Sequence, residues 1–110
     1  MSEPLQTFAE FWPFYLGEHS RPATRALHVG GSTAALVCGA LAIALRAPSL
    51  AAAAVVLGYA CAWIGHAFIE HNRPATFRYP LWSFMADWKM WGYAVTGRLG
   101  GELRNAGIPA

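Results

Sequence analysis

The chain has 110 residues, a formal net charge of +2, 55% hydrophobic residues and 13% charged ones. The charged share is about half that of an average soluble domain, which excludes intrinsic disorder. Eight Lys/Arg against six Asp/Glu leave no basic excess for a nucleic acid, and two cysteines cannot staple a fold of this size. The length allows one domain, and the class left standing is a small all-α membrane protein.

The first twenty residues contain Glu3, Glu10 and Glu18 and no Lys or Arg, so no removable signal is expected there. Residues 3–18 read as an interfacial amphipathic helix, with Phe8, Phe11, Trp12 and Tyr15 on one face and Pro13 expected to kink or divide it. Two apolar stretches follow, Ala26 to Leu45 and Ser49 to Ile69. Each reaches the roughly 20 residues that cross a hydrocarbon core. Transmembrane helices are therefore expected over 22–46 and 49–72. The tight turn Arg46-Ala47-Pro48-Ser49 makes them an antiparallel hairpin. Gly31, Ala35 and Gly39 on the first helix, and Ala54, Gly58 and Ala62 on the second, recur at the four-residue spacing that lets helix backbones approach in lipid. The competing reading is two buried helices of a soluble bundle, but a chain this short has too little surface to hide two helices that are apolar all round. Cys38 and Cys61 differ in depth by roughly 7 Å at helical rise and are expected to stay unbridged.

Residues 80–97 carry Trp82, Phe84, Trp88, Trp91 and Tyr93 together with Asp87 and Lys89. This segment reads as a second interfacial helix, or alternatively as a third, tilted membrane helix. The tail 98–110 contains four Gly/Pro residues and is expected to be loose. Arg21, Arg25, Arg73, Arg78, Lys89, Arg98 and Arg104 flank the open ends of the hairpin, and only Arg46 sits at its turn. The positive-inside rule then places both termini in the cytoplasm.

The four histidines carry the chemistry. From the turn near Pro48, His28 lies 20 residues back and His66 lies 18 residues forward. At helical rise those positions are about 30 Å and about 27 Å from the turn, nearly the same depth. His19 can fold back across Pro22 to that level. Glu70 follows His66 by one turn on the same face, whereas His71 faces elsewhere unless the helix unwinds before Pro74. Several imidazoles with a carboxylate suit a first-row metal such as Fe(II), Zn or Mn. Ionisable groups near membrane depth are costly and usually functional. Taken singly, each histidine also fits a plain interfacial residue bonded to backbone or lipid. His28 and His66 facing each other could alternatively be axial ligands of a haem in an electron-transfer protein. A non-catalytic membrane or lipid-interaction protein is the third reading.

Two blocks resemble a known family. His19-Ser20-Arg21-Pro22-Ala23-Thr24-Arg25-Ala26-Leu27-His28 is similar to the His-x-x-Pro-x-Asn-x-x-x-His motif of the membrane 2-hydroxy fatty acid dioxygenases. Gly65-His66-Ala67-Phe68-Ile69-Glu70-His71-Asn72-Arg73-Pro74-Ala75 is similar to its Gly-His-x-x-Phe-Glu-x-x-Arg-Pro-Ala motif. The resemblance covers roughly residues 10 to 98. Thr24 stands where the pattern has Asn, Ile69 replaces its Phe, and His71 falls at a variable position. A central membrane segment of the larger members is replaced here by a four-residue turn.

The resemblance implies an Fe(II)-dependent enzyme of fatty acid α-oxidation. Such enzymes use O₂ to cleave a 2-hydroxy fatty acid to the acid one carbon shorter. It implies His19, His28, His66 and Glu70 as the catalytic and metal-holding residues, with Glu70 either completing the set or orienting an imidazole. Arg25 or Arg73 would pair with the substrate carboxylate, and the acyl chain would lie along the apolar hairpin. The expected setting is membrane lipid, in a bacterial inner membrane or, in a eukaryote, the endoplasmic reticulum. A homodimer is expected to supplement the small core of a two-span hairpin.

Overall fold

A computed structural model describes residues 4–109. Within them the protein is all helical, with no strand. Helix α1 spans Phe8–Gly17, α2 Pro22–Ala44 and α3 Pro48–Ile64. The α3 axis continues as a π-helical segment, Gly65–Glu70. A 3-10 turn, Ala75–Phe77, leads to α4 (Pro80–Val95) and α5 (Leu99–Asn105).

Helix α1 starts where Thr7 accepts a hydrogen bond from the Glu10 amide, while Glu10 Oε1 reaches back to the Gln6 amide. This reciprocal capping matches a sequence signature for a helix start. The expected beginning at residue 3 lies outside the described residues. The expected division at Pro13 does not occur: the helix runs through it. A proline inside a helix costs about 3 kcal/mol. Four buried side chains, Phe11, Trp12, Tyr15 and Leu16, oppose that cost, at about 1.5–3 kcal/mol each.

The hairpin is realised. Pro22–Ala44 and Pro48–Glu70 are each 23 residues, long and apolar enough to cross a membrane. Only 17% and 22% of their apolar windows are buried within the chain, so most of their apolar surface is left uncovered by the protein's own helices. The turn has a physical stop signal. Arg46 takes a left-handed conformation (φ 51°), and the Ala47 amide closes onto the Ala42 carbonyl at 2.9 Å. This is a Schellman-type helix end, after which Pro48 starts α3 at a position that needs no N–H. Of the glycines, Gly31 lies tightest between the helices: an added Cβ would stand 2.6 Å from Cys61 Cβ. Gly58 faces Ala35, whereas Gly39 has nothing within 4 Å, so the small-residue stripe closes the base of the hairpin and not its far end. Both cysteines are free.

The hydrophobic core lies at the open end of the hairpin. Phe11, Trp12, Tyr15 and Leu16 of α1 meet Ala75, Ala86, Met90 and Leu103. Helix α4 has 16 residues and packs on α1 and the start of α2, short of the roughly 20 a span requires. The tail expected to be loose contains α5 instead. Leu103 is buried in the core, and Trp12 Nε1 donates to Glu102 Oε1 at 2.9 Å. These tertiary contacts outweigh the poor helix propensity of Gly100 and Gly101.

Candidate metal centre

Three of the four proposed site residues meet. His19 sits in the linker between α1 and α2, His28 on the second turn of α2, and His66 on the π-helical segment. Their rings are buried. The His19 ring lies 5.0 Å from that of His28 and 4.5 Å from that of His66, centre to centre. Two imidazoles on one ion, with bonds of about 2.1 Å, have ring centres about 4.5–5 Å apart.

Each ring is held by one nitrogen. His19 Nδ1–H donates to the Tyr15 carbonyl at 2.9 Å. His28 Nε2–H donates to Asp87 Oδ1 at 3.1 Å. His66 Nδ1 meets Asn72 Oδ1 at 2.6 Å, while Asn72 Nδ2 donates to the Glu18 carbonyl and to Glu18 Oε2. Because both amide donations go to Glu18, the Asn72 oxygen faces His66 and the ring must be the donor. In each neutral ring the second nitrogen is therefore unprotonated. For His19 and His28 that second nitrogen, Nε2 and Nδ1 respectively, is buried with no protein partner. Burial is the main reason the His19 pKa lies well below its usual value, with the neighbouring His28 adding to it. The ring is thus kept in the neutral form a metal requires.

The Asp87 carboxylate also accepts from Tyr15 Oη at 2.6 Å. Burial, reinforced by the Asp87 charge, raises the Tyr15 pKa well above the usual phenol value, so Tyr15 stays a donor. A cavity of about 20 Å³ lies among the three histidines, Tyr15, Ser83 and Asp87. That is room for about one water molecule, or one ion, and none for a porphyrin between His28 and His66. The partnerless buried nitrogens of His19 and His28, the ring spacing and the cavity size suit a single transition-metal ion in donor type and scale. The three donors do not yet point at one centre: among the described residues no group of three His, Cys, Asp or Glu is disposed as a complete metal site.

The other expected site residues lie elsewhere. Glu70 accepts from Ser20 Oγ and from the Arg21 amide, both at 2.7 Å, and so clasps the π-helical segment to the start of α2. Arg25 Nη1 donates to the carbonyls of His19 and Ser20. Arg73 is exposed, with its guanidinium over the Phe77 ring. His71 is exposed and left-handed (φ 59°), ending the helix so that the Asn72 amide returns to the His66 carbonyl at 2.9 Å. The helix does unwind before Pro74, but what this brings to the site is Asn72, against His66, and not His71. Asp87, Asn72 and Tyr15 were not legible as partners of the histidines. Asp87 carried one signal: it is the chain's only aspartate, set within an aromatic-rich helix.

A second cavity, about 250 Å³, runs between α2 and α3 under α4. Ala35, Gly58, Phe84 and Trp88 line it, and it shares His28, Tyr59, Ala62 and Asp87 with the small chamber. A largely apolar groove therefore ends at His28 and Asp87. No curated protein and no solved structure matches the chain significantly. Residues 5–99 match the family model described as 2-hydroxy-palmitic acid dioxygenase Mpo1-like, and the chain belongs to that family.

Proposed function

We propose that the protein is an Fe(II)-dependent dioxygenase embedded in a membrane, with both termini on the cytoplasmic side. It cleaves 2-hydroxy fatty acids to acids one carbon shorter. The observation that carries this reading is the meeting of three anchored imidazoles around a one-atom chamber at the end of an apolar groove. His19, His28 and His66 would hold the iron, each through the ring nitrogen that its anchoring hydrogen bond leaves free. When bound, Fe(II) supplies O₂ activation and a Lewis-acidic seat for the oxygens of an α-hydroxy acid. Tyr15, Asp87 and Asn72 fix the ring orientations. Glu70 and Arg25 act from outside the chamber: one clasps the π-helical segment Gly65–Glu70 to the start of α2, the other fixes the linker that carries His19. The groove takes the acyl chain, and its apolar walls keep water from the reacting carbon. Lipid covers the exposed faces of the hairpin.

The test is anaerobic purification in detergent, iron quantification, and addition of 2-hydroxypalmitate with O₂. The expected result is one iron per chain, O₂ uptake and release of the shortened acid. His28→Ala is expected to lose both iron and turnover. Iron-loaded wild-type protein that consumes no O₂ would refute the proposal in favour of a non-catalytic family member.

A further inference from the structure

The groove between α2 and α3 has a direction. At one end stand the buried His28, Ser32 and Ala62, and His28 Nδ1 is left without a hydrogen-bond partner. At the other stand Leu36 and Val55, 43% and 60% exposed on the outer surface of the hairpin. The groove is thus closed at its polar end and open at its apolar end. Ala62, Gly58 and Ala54 follow one another along its α3 wall at four-residue spacing. That is about 6 Å per step and about 12 Å in all at helical rise. An extended chain of single bonds advances about 1.2 Å per atom, so the wall is about ten methylenes long and Gly58 stands half-way. The volume agrees: the cavity of about 250 Å³ holds about eight water-sized groups at roughly 30 Å³ each.

The helix contact does not require glycine at residue 58. An added Cβ there would stand 3.6 Å from Ala35 Cβ, an ordinary contact, whereas at Gly31 it would stand 2.6 Å from Cys61 Cβ. Glycine inside a helix is less stable than alanine. What the missing side chain supplies at Gly58 is room in the groove.

We infer that this wall is a ruler for the acyl chain, with Gly58 and Ala54 as its marks: side-chain size at these two residues decides how long a 2-hydroxy acid the site admits. The inference rests on the proposed function above, with C1 and C2 of the acid at the His28 end. Five and ten methylenes further on, the chain passes Gly58 at about its seventh carbon and Ala54 at about its twelfth. Both residues are small and the far end is open, so a longer chain runs on out of the groove into lipid. The native protein therefore sets no upper limit within this range.

The experiment uses the full chain in detergent, loaded with Fe(II) without O₂, and titrates 2-hydroxyhexanoate, 2-hydroxydecanoate and 2-hydroxypalmitate by equilibrium binding. Each acid is read as the ratio of variant to wild-type affinity, which cancels its partition into the micelle. Gly58→Leu is expected to keep the hexanoate and to lose about tenfold or more on the two longer acids. Ala54→Leu is expected to keep the first two and to lose as much on the palmitate alone. Iron content and the thermal midpoint of the ligand-free protein are expected to hold in both. Equal weakening of all three acids, no weakening of any, or the same cut-off in both variants would overturn the ruler. Should Gly58→Leu fail to fold, the cut-off in Ala54→Leu decides alone, and failure of both to fold would overturn the inference by showing that packing needs this space. Wild-type protein that binds iron but none of the acids would sink the proposed function and this inference together. Wild-type binding with indifferent variants would sink the inference alone.

Discussion

The two ends of the hairpin are written in similar apolar residues and end up in opposite surroundings. At the open end, α1, α4 and α5 wrap the helices, and every buried residue of α2 falls between Thr24 and Ser32. Toward the turn, Leu41, Ile43, Val55 and Val56 stand exposed on all sides, Ile43 at 83%. Apolar composition by itself does not say which end becomes core. The open end becomes core because the aromatic segments before and after the hairpin return to it.

The largest expected effect separates the two ends directly. Met90→Ala, at a fully buried position, is expected to destabilise the protein by about 2–5 kcal/mol. Val56→Ala on the bare end is expected to stay within about 0.5 kcal/mol. Denaturant unfolding in micelles, followed by circular dichroism, measures both. Similar losses at the two sites would mean that the bare end is covered by protein, as a second copy of the chain would do.

A sharper contrast concerns the anchors. Asp87→Ala is expected to weaken Fe(II) binding about 10–100-fold, the usual consequence of removing a group that orients a ligating histidine. Asp87→Asn keeps an oxygen acceptor and is expected to lose less. Anaerobic metal titration reads the difference, and an unchanged affinity in the alanine variant would dismiss the anchoring role.

Acid should act on the open end first. His19 has a folded pKa below its ordinary value of 6.5, mainly through burial. The unfolded chain therefore takes up this proton before the folded one. The stability this group contributes is present above about pH 6.5 and is lost as the pH falls below it. Thermal unfolding of the metal-free protein from pH 8 to pH 5 should show a falling midpoint, and His19→Gln should flatten that slope.

The smallest effect distinguishes a helix cap from a ligand. His71→Gly relieves a left-handed conformation that costs a non-glycine residue roughly 1–2 kcal/mol. Part of that gain is offset by the greater freedom of glycine in the unfolded chain. A slightly raised melting temperature with unchanged iron content is the expected outcome. Loss of iron in this variant would return His71 to the metal site.

Much of the architecture was legible because it depends on periodicity and length. Two apolar runs of spanning length, separated by a proline-marked turn, specify an antiparallel hairpin. Equal distances from that turn specify that His28 and His66 share a level. The position of His19 followed from the short linker across Pro22. The fate of the tail was illegible because α5 is stabilised by Leu103 and by the Trp12–Glu102 bond, contacts about 90 residues apart in sequence. The direction of Glu70 was illegible for a different reason. A regular helix would leave it on the His66 face, but the segment winds as a π-helix and its carboxylate reaches the start of α2.

The sequence by itself determined an all-helical hairpin, its turn, and the approach of three histidines, since these follow from helical rise and apolar run length. Only the tertiary structure decided which nitrogen of each ring is held and which is left bare. That choice depends on Tyr15, Asn72 and Asp87, brought in from three separate segments, and hydrogen-bond direction cannot be read from spacing along one chain.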